Sequence, residues 1–270
     1  VTVMGILNAT PDSFWAASRH QAEAAVTKGL ELASEGAGVL DIGGESTRPG
    51  SHYVDAEEEC RRVLPIVQGL SAAGCSVPLS IDTRKLAVME AAHKAGATWL
   101  NDVSALVDEP RLGQFAAEAK LTVVLMHRQG HPNTMQASPR YDDVVTEVVD
   151  FLSRRVEAAL AWGIKSENLV LDPGFGFGKT TEHTIALFRA LPKIRSLGFR
   201  VLVGLSRKSF LGAVTGAPVE DRLPASIAAA LAASAAGADM VRVHDVAATV
   251  QALKIWQVLG GLPWESRSSL

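Results

Sequence analysis

The chain has 270 residues, 47% of them apolar and 20% charged, with a formal net charge of -3. That composition belongs to a globular protein with a sizeable core; it excludes a disordered or fibrous chain, and the lack of long Lys or Arg runs argues against nucleic acid as a partner. Cys60 and Cys75 are the only cysteines, too few for a disulfide framework or a structural zinc site, so a reducing, cytoplasmic compartment is expected. No apolar run approaches the ~18 residues of a membrane span, so no membrane partner is expected. Residues 1–7 do not read as a signal peptide.

Short apolar, β-branched runs alternate with amphipathic stretches from end to end. They predict strands near 3–7, 39–42, 78–81, 99–101, 122–126, 169–171, 201–205 and 240–243. Helices are predicted between them, near 21–35, 57–73, 85–95, 111–119, 142–162, 184–195 and 222–236, with a last one near 246–259. The strand runs are nearly continuous in apolar residues, as a sheet covered on both faces requires. Gly36, Gly96, Gly163 and Gly237 each follow a helix and precede a strand, which fits left-handed helix caps. There is no linker or shift of composition. The expectation is an α/β fold, a closed (β/α)8 TIM barrel forming a single domain over residues 1–270. An open doubly wound sheet would need a glycine-rich fingerprint after its first strand, and Gly-Ile-Leu-Asn-Ala-Thr-Pro is not one.

Polar residues gather at the predicted strand ends. Asn8 follows the first strand, Asp41 belongs to the second, and Asp82 ends the third. Asn101 and Asp102 follow the fourth and His127 the fifth. Asp172 ends the sixth, residues 206–209 (Ser-Arg-Lys-Ser) follow the seventh, and Arg242 and His244 lie on the eighth. In a barrel these ends meet on one face, where such folds keep their active sites.

Several tempting motifs fail. Residues 173–180 imitate a phosphate-binding P-loop, but Pro173 stands where its first glycine belongs. Residues 204–208 imitate a nucleophile elbow, but Lys208 replaces the second glycine. His127 and His131 are four apart, yet Gly130 and Pro132 forbid the helix a zinc pair needs. No serine nucleophile with its partners survives.

Two subsites remain. Asp82, Asn101 and Asp172 make an acidic and amidic one. A carboxylate can accept two parallel N–H bonds from a planar N–C–N edge, so a ligand with an amino-pyrimidinone edge suits it, with Lys208 donating to a ring oxygen or nitrogen. The competing structural explanation pairs these acids with Arg242, Arg84 or Lys208. The second subsite is cationic, Arg242 and His244 beside Asn8, and suits a phosphate or diphosphate. Long loops rich in Pro, Gly, Ser and Thr, 9–20 and 43–55, flank the site, and 128–140 is a further candidate. Arg207 either faces outward or braces a neighbouring loop.

The residues resemble those of the dihydropteroate synthase family. The matching stretches are Met4-Gly-Ile-Leu-Asn-Ala-Thr-Pro-Asp-Ser-Phe14, Asp41-Ile-Gly-Gly-Glu-Ser-Thr-Arg-Pro-Gly50, Ser80-Ile-Asp-Thr83, Asn101-Asp-Val103 and Leu125-Met-His127. Leu171-Asp-Pro-Gly-Phe-Gly-Phe-Gly-Lys179, Gly204-Leu-Ser-Arg-Lys-Ser209 and Val241-Arg-Val-His-Asp245 follow in order. The resemblance implies the joining of 4-aminobenzoate to 6-hydroxymethyl-7,8-dihydropterin diphosphate, with release of diphosphate. It implies pterin recognition by Asp82, Asn101, Asp172 and Lys208, with Met126, Phe177 and Gly204 shaping the slot. Asn8, Arg242 and His244 become the diphosphate site. Phe14, Thr47, Arg48, Pro49, Phe177 and Ser209 surround the aminobenzoate. Lys208, Arg242, Asp172 and Arg48 are the implied catalytic set. Magnesium (Mg2+) is the implied cofactor, with Asn8 near it, and a homodimer is the implied assembly.

Two departures stand out. The family usually continues after Phe14 with Ser-Asp-Gly-Gly, whereas this chain reads Trp15-Ala16-Ala17-Ser18-Arg19-His20. Slower turnover or an altered closed state is therefore expected, with the pterin slot kept. Only residues 1–3 precede the first motif, so the chain is expected to be trimmed or that barrel end differently covered. The alternatives are a pterin-dependent methyltransferase and a catalytically impaired pterin-binding paralogue.

Overall fold

The computed structural model describes residues 1–9, 18–46, 53–130 and 134–260, apart from the side chains of residues 18–20. Eight parallel strands close on themselves in sequence order: β1 (Thr2–Asn8), β2 (Val39–Gly43), β3 (Leu79–Asp82), β4 (Trp99–Asp102), β5 (Thr122–Met126), β6 (Leu169–Asp172), β7 (Arg200–Val203) and β8 (Met240–Val243). Closure is made by β1 against β8, with Thr2 level with Met240 and Gly5 with Val243. The helices α1 (Ser18–Ser34), α2 (Ala56–Ala72), α3 (Leu86–Lys94), α4 (Arg111–Glu118) and α5 (Val144–Ala161) cover the first half. The second half carries α6 (Thr181–Arg189), α7 (Leu191–Arg195), α8 (Ser209–Thr215), α9 (Leu223–Ala235) and α10 (Val246–Val258). The (β/α)8 barrel expected from the sequence is present.

Helix ends follow local chemistry. Asp55 caps α2 by accepting from the Glu58 amide, and Asp143 caps α5 through Val145 and Thr146. Gly36, Gly96, Gly163 and Gly237 have φ of 104, 117, 93 and 92°, the left-handed conformation expected of them. One expected element divides. The helix predicted over 184–195 is α6 and α7, broken at Ala190, because Pro192 has no N–H to continue α6 but fits the first turn of α7. The helix α8 is an addition to the predicted elements, a seven-residue piece after β7.

The strand period of two positions the site. Outward-facing residues join the helices in the main core, while Met4, Val39, Trp99, Val124, Val170, Leu202 and Met240 pack together as a separate apolar cluster. Each of these points into the barrel, and two residues further along every strand the side chain points inward again. Those next positions are Ile6, Asp41, Asn101, Met126, Asp172, Gly204 and Arg242. The apolar plug is thus capped by a largely polar layer at the C-terminal strand ends. β3 contributes through Ser80, level with Asp41, and Asp82, level with Asn101.

Candidate active site

The centre of the polar layer is an ion-paired cluster. Arg242 donates through Nε to Asp41 Oδ2 at 2.6 Å and through one terminal nitrogen to Asp82 Oδ2 at 3.0 Å. Asp41 is fully buried and also accepts from Ser80 Oγ at 2.6 Å and Asn101 Nδ2 at 2.9 Å. Removing charges from water is costly unless each is paired and hydrogen bonded; Asp41 meets that condition with three donors. Gly43 and Gly204 border the cluster, and a side chain at either would come into ordinary contact with Asp82 or Arg242.

Burial sets the electrostatics. It pushes the Asp82 carboxyl up to about 7, against the pull of Arg242 and with help from the charges of Asp41, Glu59 and Asp102. Burial likewise raises Asp172, opposed by Lys208. It lowers the Lys208 ammonium to about 8, opposed by Asp172. Burial works against the Arg242 charge too, but Asp41 and Asp82 outweigh it and hold the guanidinium above its usual value. Acids and bases stand in one water-poor layer, able to fix a ligand's donors and to stabilise charge that develops on it.

Chains of known function are similar to this one in sequence and in fold. A sequence profile of pterin binding enzymes matches residues 4–244. The dihydropteroate synthase of Neisseria meningitidis serogroup B is 48% identical over 265 residues, covering 96% of this chain and 92% of that one. The chain belongs to the dihydropteroate synthase family. Among solved structures, the Xanthomonas albilineans dihydropteroate synthase with 4-aminobenzoic acid is 50% identical with a TM-score of 0.89, and covers 97% of this chain and 94% of that one. The same organism's enzyme in complex with 7,8-dihydropteroate is 47% identical with a TM-score of 0.85 and the same coverage.

The residues that the family resemblance named divide into three groups. Asp82, Asn101, Met126 and Asp172 are buried in the polar layer. Gly204 is half-buried at its edge, beside Arg242. Lys208 reaches back over the layer from the segment after β7, donates to the Phe175 carbonyl and lies 4.6 Å from the centre of the Phe177 ring. The cationic group is arranged differently from the sequence reading. Arg242 is level with Met4, four residues before Asn8 on β1, and it turns to Asp41 and Asp82, so it joins the acidic subsite to the cationic one. The salt-bridge explanation therefore holds for Asp82, while Arg84 serves Glu45 and Asp108. His244 Nδ1 is 3.0 Å from Ser206 Oγ, and Asn8 is exposed at the end of β1. Ser209 is exposed at the start of α8. Phe14, Thr47, Arg48 and Pro49, the altered stretch 15–17 and His131 lie outside the described residues.

The polar loops are braced by ion pairs, and of the two alternatives for Arg207 the brace is the one found. Arg207, at φ 57°, grips Asp245 with Nε and a terminal nitrogen at 2.9 and 2.7 Å, its amide donates to Ser226 Oγ, and its carbonyl accepts from Arg222. It is thus a brace between the β7 and β8 ends. Glu45 accepts from Lys85 at 2.6 Å, from Arg84 at 3.3 Å and from the Val54 amide, which ties together the two described ends of segment 47–52. Asp102 turns away from the site and accepts from the Ser104 and Leu106 amides. Asp41 is the main residue of the polar layer that the sequence reading left without a role. Its signal was available: it lies on the inward period of a strand whose neighbours are all apolar.

Proposed function

We propose that the polar layer at the C-terminal strand ends carries the dihydropteroate synthase reaction in this chain, a transferase of that family. The pterin methylene loses its C–O bond to diphosphate and gains a C–N bond to the amine of 4-aminobenzoate, and the amine proton is released. Asp82, Asn101 and Asp172 hold the pterin's N–H edge, and Met126, Phe177 and Gly204 shape the slot. Lys208 donates to the ring. Positive charge that develops on the pterin methylene is stabilised by the buried carboxylates, and Arg242, with His244 and Asn8, meets the leaving diphosphate. Phe177 and Ser209 border the aminobenzoate with Phe14, Thr47, Arg48 and Pro49. No covalent enzyme intermediate is required. The observation that carries this reading is the convergence of buried Asp82, Asn101 and Asp172 from three strands beneath Lys208.

Magnesium fits as a companion of the diphosphate. Among the described residues, no three His, Cys, Asp or Glu side chains converge as ligands. Magnesium commonly takes one or two protein oxygens and completes its octahedron with phosphate and water. Exposed Asn8 offers one such hard oxygen, and the ion would neutralise charge on the leaving group. The whole chain is proposed as one pterin-binding domain and a homodimer, which light scattering after gel filtration tests. A cytoplasmic setting is supported by free Cys60 and Cys75. Among the described residues no helix is long and apolar enough to cross a membrane.

The deciding experiment is a coupled assay of diphosphate release from the pterin diphosphate. Release that depends on 4-aminobenzoate is expected. Tight pterin binding with no release at any 4-aminobenzoate concentration would refute synthase activity and leave a pterin-binding protein.

A further inference from the structure

The segment 173–178 follows β6 and contains three glycines in the left-handed region, Gly174, Gly176 and Gly178, at φ 68, 77 and 65°. Alternating conformations of this kind turn successive carbonyls to opposite sides of the chain. Every carbonyl from 174 to 178 has a side-chain donor. Gly174 O accepts from Lys179 Nζ at 3.0 Å and Phe177 O from the same nitrogen at 3.1 Å. Phe175 O accepts from Lys208 Nζ, Gly176 O from Gln136 Nε2, and Gly178 O from the Tyr141 hydroxyl at 2.8 Å. Two lysines grip the loop from its two sides. Lys208 is the one above the slot.

Lys179 is only 4% exposed, an unusual burial for a lysine. Its ammonium is 2.9 Å from His127 Nδ1 and 3.4 Å from His127 O, as well as at the two loop carbonyls. Burial lowers the Lys179 ammonium to about 7; in its charged form it has three donors and no acceptor, and it then donates to His127 Nδ1. Burial, with the Lys179 charge beside it, lowers His127 to about 3, which keeps the ring neutral. The segment packs closely against residues 127–129: a side chain at Gly174 would lie 1.8 Å from His127 O and one at Gly178 2.4 Å from Gln129 O. What the cage holds in place belongs to the proposed slot. The Gly174 amide donates to Asp172 Oδ1 at 2.7 Å, Phe175 O takes Lys208, and the Phe177 ring covers the Lys208 ammonium.

We propose that Lys179 is a positioning residue for the pterin slot: a buried amino group that folds the 173–178 segment around itself and thereby sets Asp172, Lys208 and Phe177. The inference rests on the pterin reading of the site. Lys179 touches no substrate in it. Without that amino group, three inward carbonyls and His127 Nδ1 lose their donor where little water can replace it. The segment then opens, and both ends of the pterin grip move. The barrel strands and the Arg242 cluster do not depend on Lys179 for any hydrogen bond, so the effect falls on the slot more than on the fold.

Lys179→Met and Lys179→Gln test this, with 6-hydroxymethylpterin as probe in titration calorimetry and steady-state kinetics for both substrates. Tenfold or greater loss of pterin affinity is expected for Lys179→Met. The loss should be smaller for Lys179→Gln, which keeps two donors, and KM for 4-aminobenzoate, which meets the segment only through Phe177, should rise by a smaller factor than pterin affinity falls. Should Lys179→Met not fold, Gln136→Leu and Tyr141→Phe loosen the same segment from its other donors, and each should weaken pterin binding about threefold. Folded Lys179→Met with pterin affinity within twofold of the unmodified chain overturns the proposal. So does an equal loss for both substrates in step with a lower unfolding midpoint, which would mark a purely structural lysine. In the fallback case, unchanged affinity in both loosened variants overturns it. Failure of the unmodified chain to bind the pterin would instead refute the functional reading itself and take this inference with it.

Discussion

Replacing Asp41 tests how the polar layer is held, and two substitutions should behave differently. One oxygen of Asp41 takes the Ser80 hydroxyl, and the other takes Asn101 Nδ2 and Arg242 Nε. Asn101 and Arg242 offer only donors at these atoms, but a serine hydroxyl can donate or accept. In Asp41→Asn the amide oxygen can face Asn101 and Arg242 while its NH2 faces Ser80, whose hydroxyl rotates to accept. The hydrogen-bond count survives, and the lost term is the charge on those bonds, about 1–2 kcal/mol. In Asp41→Ala, Ser80 and Asn101 are left unpaired and Arg242 keeps only Asp82. Breaking a buried pair from one side costs about 3–5 kcal/mol. Urea unfolding followed by far-UV circular dichroism at pH 7.5, extrapolated to water, measures both. Equal losses for the two variants, or a loss below about 1 kcal/mol for Asp41→Ala, would refute the three-donor account. A pH series adds a second readout. The Asp82 carboxyl stands at about 7 in the fold, against an ordinary value of about 4. Between those values the folded state keeps a proton the unfolded chain has lost, so stability falls as pH rises through that window. The Asp41 charge is one cause of the elevation. Both variants should therefore move the upper end of the window to lower pH.

Asp172→Asn turns one acceptor of the slot into a donor and should weaken 6-hydroxymethylpterin binding at least tenfold by calorimetry; unchanged affinity would show the acidic subsite to be misassigned. Lys208 loses its charge as pH rises through about 8, so pterin affinity should fall above that pH. In Lys208→Met the affinity should be lower and flat over the same range, and a flat profile in the unmodified chain would remove Lys208 from the contact. Gly174→Ala combines a left-handed φ of 68° with a Cβ 1.8 Å from His127 O. It should lower the unfolding free energy by about 2 kcal/mol or more and weaken pterin binding with it, and a change in neither would mean that the segment moves freely.

The fold was legible because each strand and helix carries its own periodic signal. The runs at β5 and β8 coincide with their predicted bounds, and the four glycine caps take the conformation that only their lack of a side chain makes easy. The one divided helix followed from a rule visible in the sequence, a proline at 192, that the periodicity of 184–195 overrode. Asp82, Asn101 and Asp172 were legible as strand-end polar residues. Their partners were not. Arg242 reaches Asp41 across 201 residues of chain and Lys179 reaches His127 across 52, and no local pattern encodes such a distance.

The sequence by itself determined the barrel, the order of its strands and which residue types stand at the strand ends, since period, caps and breakers act over a few neighbouring residues. Only the tertiary structure decided what those residues do to one another. Barrel closure brought Arg242 to Asp41 and Asp82, and the turn of residues 173–178 brought two carbonyls to Lys179 beside that of His127. Burial then set the protonation of Asp82, Lys208 and His127. The physical reason is that desolvation and Coulomb interactions depend on separation in space, which a linear chain leaves open until it has closed.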